Sequence, residues 1–525
     1  MSDKDTGSFY TPYETVEFMK QYVMAIKGSR QTVLEPSFGD ARFVDAFYLQ
    51  ESVESIVAVE LDERKVKKVI DNRGYPSSVS VVCSDYLSFA AECPDSFDLI
   101  IGNPPYISIK NLNKSTLEKA KTLCFELGID CSVAQNLWVA FLLASIKLLE
   151  EDGVIFFVLP SEFLQVQYAE KLRLFLERQF NTIHILTFSE RMFPDIEQET
   201  CLVYLTNEKQ GLPYIAYKHY DALNYGVPSY ESCIERNKPL KKWSNAILSD
   251  SQIELLKNPQ CSMLRIRDIA TSSPGIVTAA NKYFILTSEE VEEYQCENYV
   301  IPVISKSSML RGRIALDRDL IKELSDAGFK VYMLDLKNTR PEELPDGLVN
   351  YLEMVGSIER RGKAIKDGYK CSKRKPWYGV PIIESGPVCF FKRYDRCPRM
   401  CLNENLIKTT DIAYGIKLYE GYDPKSLVFC FYNSVTLAQC EYLGRYYAGG
   451  VSELTPSEFK ELHVPYMAIE DNEFETLEEM FKESQPLDKI IEFVDTIVFD
   501  SQYADHLPEF KKVRNILMSR RNRRD

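Results

Sequence analysis

The feature that most constrains this chain is the regular alternation of short apolar runs with helical segments over its first ~235 residues. The runs are short and rich in β-branched side chains, which is typical of strands buried on both faces of a sheet. They are Thr32–Leu34, Ser55–Glu60, Val79–Cys83, Phe97–Ile101, Val154–Leu159, Ile183–Phe188 and Cys201–Leu205. Two clear helical patterns lie among them, one starting at the N-cap Thr11 and one over residues 136–150. The alternation predicts an α/β domain with a doubly wound parallel sheet that binds ligand at the carboxyl ends of its strands.

The alternation is lost after residue ~240, where short strands, turns and aromatic residues mix irregularly. The chain has 525 residues, which favours two or three domains. We therefore expect a Rossmann-like α/β domain over residues 1–238, with helices on both faces of its sheet. A mixed α+β domain should follow over residues 239–465. Residues 466–525 should form a helical C-terminal extension that ends in a basic tail.

Composition excludes several classes of protein. No run of ~18 uncharged apolar residues is present, and the N-terminus lacks the apolar core of a signal peptide, so we expect neither a membrane partner nor secretion. The 14 scattered cysteines fit reduced thiols in a cytoplasmic protein, and no zinc or other metal site is expected. Four histidines leave little room for His-based catalysis. The net charge of −14, taken as one number, argues against a nucleic-acid partner.

The sharpest chemical signal is an apolar strand that runs from Asp98 directly into Asn103-Pro104-Pro105-Tyr106. Two prolines stiffen this turn and remove two backbone donors, which leaves the Asn103 side-chain oxygen and the Pro104 carbonyl as a rigid pair of acceptors. The Tyr106 ring stands beside them. This arrangement suits a planar amino group, whose two N–H groups are bound while its ring is stacked. Accepting both hydrogen bonds raises the electron density on a nitrogen that is otherwise a poor nucleophile.

The motifs around this turn resemble, in identity and order, those of the Taq-type, gamma-class adenine-specific DNA methyltransferases that use S-adenosylmethionine. The order matches over roughly residues 8–206, and the matching segments are Phe9–Pro12, Leu34–Asp40, Val57–Asp62, Cys83–Tyr86, Asn103–Tyr106 and Arg191–Pro194. The family loop usually carries another glycine where this chain has Asp40 and Ala41. Glu60 also stands some twenty residues after the Gly39 loop, the spacing of a ribose-binding acid in a Rossmann-like unit.

The resemblance implies a role for individual residues. Asn103, Pro104, Pro105 and Tyr106 would be catalytic, and Tyr106 and Phe193 would stack on an adenine flipped out of the duplex. The residues implied to bind the cofactor S-adenosylmethionine are Thr11, Glu35, Pro36, Ser37, Phe38, Gly39, Glu60, Asp85, Tyr86 and Pro105. The implied partner is double-stranded DNA, and a separately encoded restriction endonuclease is compatible with the sequence.

A basic stretch in the second predicted domain fits a DNA surface. Residues 359–400 contain twelve basic and four acidic side chains, and Lys373–Tyr378 interleaves basic with aromatic residues. Segments 275–284, 306–313 and 373–378 resemble parts of target-recognition domains in the same family. The candidate DNA-binding residues are Lys282, Arg311, Arg313, Lys373, Arg374, Lys375, Trp377 and Arg393.

The acidity of the chain lies mainly elsewhere, because residues 1–200 hold 19 basic and 30 acidic side chains. The net charge of the whole chain therefore says little about a local DNA-binding surface.

Other readings remain open at this stage. The same catalytic turn also serves amino-methyltransferases that act on RNA or on protein glutamine, which are usually much shorter. A non-catalytic DNA specificity protein with a decayed methyltransferase half is a second alternative. A cytosine ring-carbon methyltransferase is excluded, because the chain lacks the Pro-Cys dipeptide that typically carries the thiolate. We expect no fused endonuclease, since the family motifs begin by residue 9 and no acid-x-Lys nuclease pattern follows residue 465.

Overall fold

The computed structural model of the protein describes residues 10–26, 31–193, 199–208, 212–236, 239–259, 262–360, 362–447 and 449–521. It divides into two compact units. The first contains residues 1–254, 447–450 and 516–525, and the second contains residues 255–446 and 451–515. None of the helices in the described ranges is long and apolar enough to cross a membrane. Phe9 and Pro194 lie outside the described residues.

The first unit is built on a nine-stranded sheet with the strand order β3-β2-β1-β4-β5-β7-β6-β8-β9. Its strands are β1 Gln31–Glu35, β2 Val53–Glu60, β3 Val79–Cys83, β4 Phe97–Gly102, β5 Leu149–Pro160, β6 Thr182–Phe188, β7 Thr200–Thr206, β8 Tyr214–Tyr220 and β9 Tyr230–Glu235. Its helices are α1 Tyr13–Ile26, α2 Arg42–Phe47, α3 Glu63–Arg73, α4 Tyr86–Glu92, α5 Lys114–Glu126, α6 Leu137–Lys147 and α7 Glu170–Gln179, and α8 Asp250–Lys257 follows. All seven runs predicted as strands lie within these strands.

The sheet is mixed, so the prediction of a purely parallel sheet is wrong. The neighbouring pairs from β3 to β5 are parallel, but β7 runs antiparallel to both β5 and β6. Only residues 189–199 separate β6 from β7, and a parallel crossover needs a dozen residues or more. A second correction concerns residues 136–150, where the helix ends at Lys147 and Leu149 already pairs with Phe97 as part of β5.

Both faces of the sheet are covered. Leu99 and Ile101 of β4 join a core cluster with Val16 and Val23 of α1. Ile100, whose side chain points to the opposite face, is also fully buried. Strands buried on both faces explain why these runs read as continuous apolar sequence rather than as alternating patterns.

The second unit is an assembly of small sheets and helices. Its strands are β10 Leu264–Arg265, β11 Ala270–Pro274, β12 Ile285–Leu286, β13 Val300–Ile304, β14 Tyr332–Leu334, β15 Glu359–Arg360, β16 Lys363–Ala364, β17 Val388–Phe391, β18 Arg393–Tyr394, β19 Arg399–Leu402, β20 Lys408–Thr409, β21 Ala413–Leu418, β22 Arg445–Tyr446, β23 Ser452–Glu453 and β24 His463–Val464. They form sheets of order β11-β21-β17-β19, β12-β14-β13-β20 and β18-β23-β22, together with the pairs β10-β24 and β15-β16.

Helices lie between and after these strands, and the last of them ends among residues assigned to the first unit. They are α9 Ile266–Ile269, α10 Asn281–Phe284, α11 Ser288–Glu293, α12 Arg318–Asp326, α13 Asp346–Ser357, α14 Pro424–Phe431, α15 Ser434–Leu443, α16 Pro456–Phe459, α17 Asp471–Lys482, α18 Leu487–Val498, α19 Ser501–Ala504 and α20 Leu507–Ser519. Within the described residues, helices form most of residues 471–519, as expected for this part of the chain. Phe474, Leu477 and Ile491 of α17 and α18 are buried in the same cluster as Phe390 and Ile416, so these two helices complete a core of the second unit.

Asp98 joins the two central strands at the start of β4. Its Oδ2 accepts hydrogen bonds from the Thr32 backbone N–H at 2.9 Å and from the Thr32 hydroxyl at 2.8 Å, and the Asp98 N–H donates to the same hydroxyl at 3.1 Å. This clamp lies next to the pair Val33 and Leu99, which sets the register of β1 against β4. Asp98, at the start of the strand that leads to Asn103–Tyr106, therefore has a structural role.

Replacing Asp98 with alanine should lower the free energy of unfolding by about 1–3 kcal/mol, because it leaves the Thr32 donors without their charged acceptor. Urea unfolding followed by circular dichroism measures the change, and the exposed Asp95 in the preceding turn provides Asp95→Ala as a matched control. An unfolding free energy for Asp98→Ala equal to that of the control would show that the clamp does not stabilise the fold.

Candidate active site

The carboxyl ends of five neighbouring strands are connected by hydrogen bonds into one line. Between β3 and β2, the Ser84 N–H donates to the Glu60 carbonyl at 3.0 Å. Between β2 and β1, the Gly39 N–H donates to Glu60 Oε2 at 3.0 Å. Between β1 and β4, the Ser37 hydroxyl donates to the Asn103 carbonyl at 3.0 Å. Between β4 and β5, the Tyr106 hydroxyl donates to the Val158 carbonyl at 2.9 Å.

Glu60 closes β2 with its carboxylate already oriented. One oxygen accepts from Gly39, and the other accepts from the Asp62 backbone N–H at 3.0 Å. A carboxylate has about four acceptor positions, so positions remain on both oxygens for a ligand hydroxyl. Leu61 follows directly and is 72% exposed. The candidate residues predicted from the sequence do not include Leu61, although an apolar side chain directly after a strand-end acid indicates a candidate ligand contact.

The loop after β1 depends on left-handed backbone at two positions. Gly39 has φ +57°, and Ala41 has φ +72° although it carries a Cβ. A left-handed residue other than glycine costs roughly 1–2 kcal/mol, so Ala41 adopts this backbone at an energetic cost.

Residues 10–12 lie against this loop. A Cβ at Gly39 would stand 3.5 Å from two carbons of the Tyr10 ring. Arg42 donates to the Thr11 carbonyl at 2.7 Å and forms an ion pair with Asp40 at 2.7 Å. The N-terminal motif and the loop that the sequence singled out separately are thus brought together by one arginine and one aromatic ring.

Glu35 is the most unusual group of the site. The side chain is 2% exposed, and its Oε2 has no hydrogen-bond partner. Burial raises the pKa of Glu35 well above its ordinary value, and the nearby carboxylates of Asp40 and Glu60 raise it further, against a hydrogen bond from the Val44 backbone. A buried carboxyl with an unpartnered oxygen costs stability, which is typical of a residue kept for binding a cation.

Asp85 and Tyr86 follow β3. Asp85 is the N-cap of α4, and its Oδ2 accepts from the Ser88 N–H and hydroxyl and from Lys119 Nζ. Tyr86 is 2% exposed, its hydroxyl hydrogen-bonds Ser145 at 2.8 Å, and its ring centroid lies 4.8 Å from that of Phe141. Tyr86 therefore lies in the packing between α4 and α6 rather than at the surface of the site.

A hydrogen bond from Tyr106 holds the Asn103–Tyr106 turn against β5. Pro104 is buried, while Asn103, Pro105 and Tyr106 are partly exposed. Burial raises the pKa of Tyr106 well above its ordinary value, so its hydroxyl stays protonated and keeps donating to Val158. This bond fixes the orientation of the ring. Phe193 is 6% exposed and belongs to the core cluster of the first unit, and residues 194–198, which follow it, lie outside the described ranges.

The candidate DNA-binding residues fall into two groups in the structure. In the first group, the side chains are engaged in ion pairs, hydrogen bonds or ring packing, and the second group is described by its exposure. Arg313 forms ion pairs with Asp317 and Glu323, and Arg374 donates to the Val277 and Thr278 carbonyls at 2.8 and 2.9 Å. The Trp377 ring packs against Phe284 and Tyr378, and Arg393 pairs with Glu453 at 3.1 Å. Lys282, Arg311, Lys373 and Lys375 are exposed.

A cleft of about 830 Å³ in the second unit adds cations that the sequence did not single out. Lys282 lines it together with Arg360 and Lys370, and Glu359 and Asp411 are the acidic residues of its wall. Asn281 also faces this cleft. The Thr278 hydroxyl donates to Asn281 Oδ1, so the amide of Asn281 presents its two N–H donors. The lining therefore has a small excess of positive charge together with hydrogen-bond donors, which suits a phosphate or another acceptor-rich ligand.

In the part of the chain that the structure describes, no group of three or more His, Cys, Asp or Glu side chains is arranged to hold a metal ion.

Two family models match this chain. Residues 240–499 match the C-terminal domain of the type II methyltransferase M.Eco57I, and residues 49–193 match the Eco57I restriction-modification methylase family. The second match contains Asn103–Tyr106 and Phe193.

Individual proteins match over most of their length. The type II methyltransferase M.AccI of Acinetobacter calcoaceticus is 23% identical over 402 residues, which cover 73% of this chain and 71% of the relative. M.XamI of Xanthomonas campestris pv. amaranthicola is 22% identical over 475 residues, covering 87% and 85%. The solved structure of the type IIL restriction-modification enzyme MmeI in complex with DNA covers 97% of this chain and 73% of its own, with a TM-score of 0.53 and 13% identity, and shows a common fold. The chain belongs to the Eco57I-like family of type II restriction-modification methyltransferases.

Proposed function

We propose that this DNA methyltransferase transfers a methyl group from S-adenosylmethionine to the exocyclic 6-amino group of an adenine in double-stranded DNA. The observation that carries the proposal is the position of the Asn103–Tyr106 turn. The Asn103 carbonyl accepts a hydrogen bond from Ser37, which lies in the loop that follows Glu35 and contains Gly39. The biological role is modification within a restriction-modification system, whose endonuclease can be encoded separately.

The residues at the ends of β1 and β2 fit the cofactor. The unpartnered Oε2 of Glu35 calls for a cationic donor, and the ammonium of the methionine moiety is one. The free acceptor positions of Glu60 suit the ribose hydroxyls, and the exposed Leu61 side chain next to it offers apolar surface to the adenine ring. Asp85 would accept from the adenine amine. When bound, S-adenosylmethionine supplies a methyl group activated by its sulfonium.

In this proposal the chain contributes position and electrostatics rather than a covalent nucleophile. The Asn103 side-chain oxygen and the Pro104 carbonyl accept the two amine hydrogens of a flipped adenine, and the Tyr106 ring stacks on one face of the base. Phe193 would contact the other face. The turn would hold the amine nitrogen towards the methyl group that the cofactor would supply. The carbon–nitrogen bond would form as the carbon–sulfur bond of the sulfonium breaks, and the amine would lose one proton to water. Tyr86 acts through packing, since its ring is buried between α4 and α6.

The second unit would bind the DNA backbone through the basic cleft. Lys282, Arg360 and Lys370 provide three cations against two carboxylates in its lining. Phosphate contacts of this kind supply affinity and orientation without reading sequence. Arg313 and Arg374 contribute by shaping the unit, because their guanidinium groups already bind acidic side chains or backbone carbonyls.

Replacing Asn103 with alanine should lower the rate of methyl transfer about 100-fold or more, because one of the two acceptors of the amine is lost. Cofactor binding should stay nearly unchanged. Transfer of tritiated methyl groups to DNA measures the rate, and isothermal titration calorimetry measures cofactor binding. Asn111→Ala, at an exposed position soon after the turn, is the matched control. Turnover retained in the Asn103→Ala protein would refute the mechanism.

Replacing Glu35 with glutamine should weaken cofactor binding about tenfold or more, since the ammonium loses its charged partner. The same change should alter the pH dependence of stability. The pKa of Glu35 in the folded protein lies above its ordinary 4.5, so wild-type stability falls as pH rises from the unfolded-state pKa through the raised one. The melting temperature of Glu35→Gln should therefore rise relative to the wild type as pH increases.

Thermal melts over a pH series test this difference, with Glu51→Gln at an exposed position as the control. A constant difference between Glu35→Gln and wild type across the series would mean that Glu35 is not a buried carboxyl with a raised pKa.

The double variant Lys282→Ala and Lys370→Ala should reduce the slope of log K for DNA binding against log salt concentration by about 2. Fluorescence anisotropy with labelled duplex DNA measures the slope. Lys322→Ala with Lys489→Ala removes the same charge from exposed positions on α12 and α18 and serves as the control. Equal slopes for the two double variants would place the phosphate contacts outside the cleft.

A further inference from the structure

Lys119 connects α5 to the end of β3 in the first unit. Its Nζ donates to Asp85 Oδ2 at 2.6 Å and to the Ser88 hydroxyl at 2.5 Å. The side chains of Lys119 and Asp85 are 36% and 31% exposed. A salt bridge with this degree of exposure contributes little to stability.

The contacts of Asp85 are concentrated on one oxygen. Besides Lys119, the Ser88 backbone N–H and hydroxyl donate to Oδ2 at 3.2 and 2.8 Å. These three donors hold the carboxylate in one orientation, which leaves Oδ1 as the oxygen that can accept from a ligand. The residue before Asp85 is hydrogen-bonded to the end of β2, where Glu60 lies.

Residues 107–137, which contain α5, begin directly after the Asn103–Tyr106 turn. The Leu137 N–H donates to the Ile107 carbonyl at 2.8 Å, and the Ile109 N–H donates to the Gln135 carbonyl at 3.0 Å. The two ends of the segment 107–137 are therefore hydrogen-bonded to each other. Tyr106 directly precedes this segment, and within the segment Lys119 binds Asp85 just after the end of β3.

The ammonium also determines the charge of Asp85. Burial alone would raise the pKa of the Asp85 carboxyl, but the hydrogen bonds from Lys119 and Ser88 outweigh it, so the pKa lies below its ordinary value. Lys119 is the charged group that faces Asp85 from α5, and Ser88 of α4 is neutral. Removing the ammonium would therefore raise the pKa of Asp85 relative to that in the wild type.

We propose that Lys119 is a positioning residue for the cofactor, which holds the Asp85 carboxylate in place so that Oδ1 accepts the adenine amine of S-adenosylmethionine. This inference rests on the proposed function, because it requires the cofactor to bind at these strand ends. Lys119 acts through Asp85 and does not touch the reacting atoms.

Calorimetric titration of the full chain with S-adenosylmethionine, without DNA and over a pH series, tests the proposal. Lys119→Met should weaken binding about tenfold at neutral pH, and the acid-side loss of affinity should move to higher pH, because Asp85 then protonates more easily. Lys119→Arg should restore affinity to within about twofold, since it returns the cation. In steady-state assays, Lys119→Met should raise KM for the cofactor while kcat changes less than about twofold.

Lys121→Met, at an exposed position on the same helix, is the matched control and should bind as the wild type does. Unchanged affinity in Lys119→Met, or a loss of kcat and melting temperature without a shift of the pH profile, would show a structural tether and overturn the positioning role. A wild-type protein that does not bind S-adenosylmethionine would overturn the proposed function and this inference together.

Discussion

The candidate site depends on the adjacency of β3, β2, β1, β4 and β5. This strand order brings five carboxyl ends to one edge of the sheet, and a hydrogen bond bridges each neighbouring pair. The bond from Ser37 to Asn103 matters most, because it joins the loop proposed for the cofactor to the turn proposed for the base. The clamp between Asp98 and Thr32 at the other end of these strands sets the register that makes this bond possible.

Two features at the same edge of the sheet destabilise the folded protein. Ala41 adopts left-handed backbone, and Glu35 is buried with an unpartnered oxygen and a raised pKa. Such unfavourable conformations persist where many contacts of the surrounding structure hold them in place, and they cluster at functional sites. Here the parallel strands on both sides and the Arg42 contacts to Thr11 and Asp40 provide that support. The acidic surroundings also fit a ligand that carries positive charge, which agrees with the acidity of residues 1–200.

The sequence predicts features that depend on residues close together in the chain, and it does not predict features that depend on contacts between distant residues. Apolar runs and the turn at Asn103 are local patterns, so the strands and the motif could be located. The antiparallel insertion of β7 between β5 and β6 depends on pairing between distant segments, which the runs do not encode. The same limit applies to side-chain partners. Basic composition and the family resemblance marked Arg313 and Arg374 as DNA-binding, but their guanidinium groups bind Glu323 and backbone carbonyls. The ion pair of Lys119 with Asp85 joins residues 34 positions apart and was not predicted.

The central claim is that the Asn103–Tyr106 turn methylates the 6-amino group of adenine in DNA. The most direct measurement is incubation of the protein with tritiated S-adenosylmethionine and plasmid DNA, followed by single-molecule sequencing for modified bases. The account predicts tritium in the DNA and N6-methyladenine at one recurring sequence, with none formed by Asn103→Ala. Methyl groups on cytosine, transfer to RNA or protein in place of DNA, or no transfer by a protein that binds both cofactor and DNA would contradict it.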